Sequence, residues 1–190
     1  MQANVPLEEG LGMFCLNEKV VYPGHGVAKI NRIITKLISG CEATFYELLF
    51  INKDMMILVP TANADGVGLR PLSSHELVQD VFVTLTAPAQ RINHAEFTGS
   101  SWNKRNKEYQ IKLKTGDLRE LSEIYRDLHF ISTHKELSFG EKHLLQQIES
   151  LLVEEIALVE QLGEEKTMEH LRSLCSLQTQ KGSLRESSVY

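Results

Sequence analysis

The residues able to do chemistry in this sequence concentrate in one short stretch, SSWNKRNKEY, residues 101–110, which holds the chain's single tryptophan, Trp102. From Trp102 to Lys114 five cations (Lys104, Arg105, Lys107, Lys112 and Lys114) stand against one carboxylate, Glu108. The chain as a whole is acidic, with a formal net charge of -5. Cations beside a large flat ring can hold phosphates while the ring meets an unstacked base or a groove wall. The same residues could also make a solvated amphipathic helix whose tryptophan packs into its own bundle. Helical spacing puts Lys104, Lys107 and Glu108 near one face, and Tyr109 and Leu113 on another with Arg105 or Trp102. Trp102 stands at the expected start of its helix, flanked by Ser100, Ser101 and Asn103. It has few sequence neighbours there with which to form a core, and an exposed aromatic usually serves an interface.

Other chemistries find no support. Gly24-His25-Gly26 has neither the glycine spacing nor the Lys-Ser/Thr ending of a phosphate loop, and it is no dinucleotide fingerprint. His25 reads as a turn residue. The seven histidines include no pair at i, i+4, and the three cysteines, Cys15, Cys41 and Cys175, are far apart and read as reduced thiols. No serine or cysteine sits on a nucleophile motif. No catalytic residue, metal site or cofactor is expected, and the reading is not an enzyme.

The elements that must position Trp102 follow from composition and pattern. The chain has 190 residues, 42% hydrophobic and 24% charged, enough for one domain or two small ones with packed cores. No apolar run approaches the ~20 residues that span a bilayer, and MQANVPLEEG lacks the pattern of a signal peptide. A cytoplasmic location is expected. With this net charge, any DNA contact must come from a local patch.

From Val20 to Pro60 the chain reads as short strands. KVVYPGHGVAKI is interrupted by turn chemistry at residues 23–26, and TFYELLFI with MMILVP reads as a hairpin around Asn52-Lys53-Asp54. With no helix between them, these strands predict a small antiparallel barrel or curled sheet. Ser73 and Glu76 then have capping-box spacing before a helix carrying Leu77, Val78, Val81, Phe82 and Leu85. Beyond Ser101 all is helical. One helix is expected from about Trp102 to Lys114, stopping at Gly116, and a second opens at Asp117 with Glu120. A third follows the Ser138–Glu141 capping box, with an apolar stripe wide enough for the centre of a bundle. The last is expected from about Glu165 to Leu177. The fold class is α+β: a β-module with its closing helix over 13–85, a linker over 86–100, a helical domain over 101–177 and a flexible tail over 178–190.

The motifs VVYPGHGVAKI, ILVPTANADGVGLRP, ELVQDVFVTL, SWNKRNKEY, GDLRELSEIYRDL and LSFGEKHLL occur here in the order found in the CarD/CdnL-like bacterial transcription regulators, and the chain resembles that family over roughly residues 14–162. The first part alone is also similar to the RNA-polymerase-interacting domain of transcription-repair coupling factors. The resemblance implies a Tudor-like β-module that docks on the RNA polymerase β subunit, partly by pairing a strand edge. It further implies a helical domain that reaches promoter DNA at the upstream edge of the melted bubble. On this basis Trp102 matches the inserting tryptophan, and Lys104, Arg105 and Lys107 match the basic positions beside it. Lys36, Ile38 and Leu58 fall at the polymerase contact. Met55-Met56-Ile57-Leu58 departs from the Lys or Arg that many members carry there, so apolar contact would replace a charge pair. The implied function is a monomeric transcription regulator that binds the β subunit and modulates open-complex stability through DNA contacts that do not read sequence. The alternative is a protein-binding adaptor without DNA contact, with Trp102 as its hot spot.

Overall fold

The computed structural model describes residues 14–89 and 99–186, with side chains described for 14–89 and 102–176. The first part is a five-stranded antiparallel sheet made of β1 (Lys19–Tyr22), β2 (Gly26–Ile38), β3 (Cys41–Phe50), β4 (Met56–Pro60) and β5 (Arg70–Pro71), in the order β4-β3-β2-β1-β5. A helical part follows, with α1 (His75–Thr86), α2 (Gly99–Thr115), α3 (Leu118–His134), α4 (Phe139–Val159) and α5 (Glu164–Glu186). The α+β arrangement read from the sequence is the one observed.

A positive-φ turn shapes the far end of the sheet. Ser39 (φ 51°) and Gly40 (φ 85°) form the two-residue loop between Ile38 and Cys41, which face each other across β2 and β3. Left-handed backbone at both central residues matches the right-handed twist of a tight hairpin. Because β1 pairs with β2 only as far as Lys29, the distal half of the β2–β3 hairpin projects beyond the rest of the sheet. The side-chain period of two then sorts the faces. Tyr46, Leu48, Phe50 and Val59 turn inward with Val20, Ala28, Ile30 and Phe14 to make the sheet's core. The opposite face, read from the pairings Lys36↔Ala43, Ile38↔Cys41 and Glu47↔Leu58, carries Lys36, Ile38, Met56 and Leu58.

The helical part has its own core, centred on α3 and α4. Asp117 caps α3, its side chain accepting from Arg119 and Glu120 N–H. Gly116, with φ 65°, ends α2 in the left-handed conformation that lets the chain reverse. Ser138 and Glu141 form a complete capping box at the start of α4, an arrangement whose serine alone is worth about 1 kcal/mol.

Helices α1 and α5 differ from the sequence expectation. The cap of α1 is Ser74, whose side chain accepts from Leu77 N–H, not Ser73. Ser73 is engaged elsewhere, donating its backbone N–H (2.9 Å) and its hydroxyl (2.7 Å) to Glu155. Helix α1, expected to close the β-module, buries Val78, Val81 and Leu85 in the helical core. Helix α5 runs on to Glu186 instead of stopping near Leu177. Most of the expected linker, residues 90–98, and the end of the expected tail, 187–190, lie outside the described residues.

Sheet and bundle are joined through two neighbouring acids of α4. Glu155, 2% exposed, accepts from both terminal nitrogens of Arg70 at 2.7 and 2.8 Å and from Ser73. Arg70 also donates to Gly116 O at 2.6 Å, which ties the α2–α3 turn into the same joint. Glu154 accepts from Val27 N–H at 3.3 Å and lies against Gly26, where a Cβ would fall 2.1 Å from its Oε2. Gly26 also has φ 105°, so both space and backbone reserve this position for glycine. The turn at residues 23–26 seats directly on the bundle, with a Cβ at Gly116 standing 3.0 Å from Pro23 Cα.

Candidate nucleic-acid interface

The described part of α2 divides into two faces. Tyr109 and Leu113 are buried in the bundle, and Arg105, four residues before Tyr109, is buried with them at 9% exposure. Lys104 and Lys107 lie on the opposite, exposed side with Glu108 and Ile111. The sequence left open whether Arg105 or Trp102 shares the inward face; both do, to different degrees.

Arg105 is therefore not grouped with the exposed cations. Its Nη2 stands 3.7 Å from Glu141 Oε1, and Glu141 is fully buried. The inward turn has a clear cause, because Glu141 is the buried N3 residue of the α4 capping box and needs cations to offset its burial. Lys135 donates to both Glu141 oxygens at 3.0 and 2.8 Å, and Ser138 N–H donates at 2.8 Å. Burial alone would raise the Glu141 carboxyl, but the hydrogen bonds from Lys135 and Ser138 outweigh it and hold it below the ordinary carboxylate range. This hub fastens the first half of α2 to the start of α4.

Trp102 is half-buried. Its ring packs against the helical core and covers Gly140 in the first turn of α4, where a Cβ would lie 3.6 Å from Cζ2. The helix begins at Gly99, three residues earlier than expected, so Trp102 sits in an ordered first turn and not at a loose end. The ring is held by the bundle and still reaches its surface. Lys112 pairs with Glu123, and Lys112 and Lys114 both stand in the last turn, where cations favour the helix dipole. The cations of this stretch left for a partner are chiefly Lys104 and Lys107.

The candidate polymerase residues share a second surface. Lys36, Ile38 (50% exposed) and Leu58 (40% exposed) all project from the outward face of the sheet, with Met56 (56% exposed) beside Leu58 on the edge strand β4. On the same face Glu47 pairs with Leu58 across β3 and β4. Arg32 Nε donates to Glu47 at 2.8 Å and Asn31 at 2.6 Å. These bonds, Arg32's first, hold the Glu47 carboxyl below its ordinary range. The cations of this face lie two strands away from β4, on β2, with Arg32 committed to Glu47 and Lys36 further along the hairpin. Among the described residues no cluster of His, Cys, Asp or Glu is arranged to hold a metal ion, and no helix is long and apolar enough to cross a membrane.

Comparison with known proteins covers both parts of the chain. The family model for the CarD-like/TRCF RID domain matches residues 14–73, and that for the CarD C-terminal domain matches residues 81–172. The chain belongs to the CarD-like family. The second match begins inside α1, in keeping with that helix packing in the bundle. The Bacillus subtilis (strain 168) protein named "Putative transcription factor YdeB" is 26% identical over 159 residues, covering 81% of this chain and 97% of the relative. CarD-like proteins are transcription regulators, a class whose members are generally not enzymes.

Sequence reasoning missed two groups. Glu154 and Glu155 sit in a leucine-rich helix and look like solvated residues, since their partners are 127 and 85 residues away. Phe139 was visible only as part of a motif, although it is 89% exposed beside Trp102's resting place on Gly140.

Proposed function

We propose that this chain binds RNA polymerase through the outward face of its sheet and modulates promoter opening through Trp102, Lys104 and Lys107, without reading base sequence. The observation that carries the reading is the geometry of α2. One helix turn presents two exposed lysines on its outer side and a tryptophan at the lip of the bundle, in a chain whose family match spans both domains. Lysines on phosphates position a protein on DNA but read no sequence. A ring at a partly unstacked step opposes re-stacking. If that contact exists only in the open form, a stabilisation of about 1.4 kcal/mol shifts the closed-to-open equilibrium tenfold.

Arg105 has a different part in this reading. Through Glu141 it fixes the helix that carries Trp102, and it does not reach phosphate. On the sheet, Lys36, Ile38, Met56 and Leu58 offer a mixed cationic and apolar face next to the free edge of β4, a surface suited to strand addition from the polymerase β subunit.

The test is a promoter-opening assay that follows a fluorescent base near the upstream edge of the bubble with purified polymerase, comparing the wild type with Trp102→Ala. The expected result is slower bubble collapse with the wild type and loss of that effect in the variant, with polymerase binding intact. Unchanged collapse with both proteins bound to polymerase would overturn the DNA reading. The adaptor alternative would then lead, supported by the packing of Trp102 on Gly140 and by the apolar edge of β4.

A further inference from the structure

Among the described residues the most exposed large apolar side chain is Phe139, at 89%. It is the first residue of α4, and the capping box formed by Ser138 and Glu141 holds it in place. An apolar ring on the outside of a rigid helix start has no packing reason to be there, whereas a ring that meets a partner does. Its surroundings say what kind of partner. The next residue, Gly140, is the floor on which Trp102 rests, so the two aromatic side chains flank one glycine. The other side of Trp102 leads along α2 to the exposed Lys104 and Lys107. Beside Phe139, Lys142 and Glu136 pair at 2.8 Å and largely cancel. The ring itself lies parallel to His143 one turn later, with centroids 6.5 Å apart and planes at 8°.

We propose that Phe139 is a second aromatic contact of the DNA surface, packing on a sugar or base edge of the distorted duplex next to the step that Trp102 meets. The occupant is a polyanion, because the exposed charges nearest Trp102 on α2 are lysines, and it has unstacked apolar surface to offer. A partly opened duplex has both properties. The inference rests on the DNA reading above and deepens it: two rings at the junction of α2 and α4 make a platform, and one ring makes only a wedge.

The experiment measures open-complex lifetime with purified polymerase for the wild type, Trp102→Ala, Phe139→Ala and Phe139→Tyr. It also measures polymerase affinity and thermal unfolding for each. Since Phe139 is exposed, Phe139→Ala should unfold at the wild-type temperature and bind polymerase as the wild type does. Its open complex should be shorter-lived by about fivefold, the low end for loss of one aromatic contact to a base. Phe139→Tyr should restore the lifetime. If Trp102→Ala shortens the lifetime and Phe139→Ala does not, the platform is overturned while the DNA reading stands. If neither substitution changes the lifetime, the DNA reading and this inference both fail. A loss of polymerase affinity in Phe139→Ala would overturn the inference in favour of a protein contact.

Discussion

Replacing Glu155 with alanine removes the anchor that holds the sheet to the bundle, and its cost can be worked from the contacts. The carboxylate, 2% exposed, accepts two hydrogen bonds from Arg70 and two from Ser73. Breaking a buried ion pair by removing one partner costs about 3 to 5 kcal/mol, because the other charge stays behind without compensation. Arg70 keeps its bonds to Gly116 O and Pro71 O, and its side chain is 25% exposed, so water screens part of the loss. An estimate of about 2 to 3 kcal/mol is appropriate. For a chain of this size 1 kcal/mol corresponds to about 2 to 4 °C in Tm, so Glu155→Ala should lower Tm by roughly 4 to 12 °C. Thermal unfolding followed by circular dichroism reads this directly. Glu155→Gln, which keeps the shape and one acceptor, should fall between the two. A change of less than about 2 °C in Glu155→Ala would refute the view that this contact bears the joint.

Two further outcomes follow from the helical part. Lys104→Glu with Lys107→Glu should flatten the salt dependence of DNA binding by about two units of log–log slope, since each lost phosphate contact removes about 0.9. Arg105→Glu should instead lower Tm, by setting a second carboxylate against buried Glu141; salt titration by anisotropy and thermal unfolding separate the two effects. His129 gives the pH prediction. Burial holds its imidazole below the ordinary 6.5, with Arg172 adding to the effect and Glu149 opposing it. The unfolded chain therefore takes up the proton first, so stability is full above about pH 6.5 and falls as the pH drops below it. Urea unfolding at pH 7.5 and 5.5 should show this loss in the wild type and a smaller loss in His129→Gln.

Where the local code is self-contained, the sequence is a sound guide. The capping box at Ser138 and Glu141, the Asp117 cap, the stop at Gly116 and the β3–β4 hairpin each depend on residues within a few positions of one another, and each is present. Reading fails where a distant partner outbids a near one. Ser73 has the spacing of a cap but is taken by Glu155, 82 residues away, and the role passes to Ser74. Arg105 belongs by composition with Lys104 and Lys107, yet a buried carboxylate on another helix draws it inward. Helix periodicity could not rank Arg105 against Trp102 for the inner face, because the two are three residues apart and both fit it. The allegiance of α1 was equally hidden, since an apolar helix face does not by itself say what it packs against and only tertiary contact decides.

The joint around Glu154 and Glu155 has a geometrical consequence. A single attachment would let the sheet swivel, but the sheet meets the bundle at Val27, at Arg70 with Ser73, and between Pro23 and Gly116. Three contacts restrain that rotation more than one would. The joint then holds the outward face of the sheet in set relation to the ring of Trp102, as the beam of a caliper holds its jaws. On the proposed reading, whatever holds one jaw also limits where along a neighbouring duplex the other jaw can close.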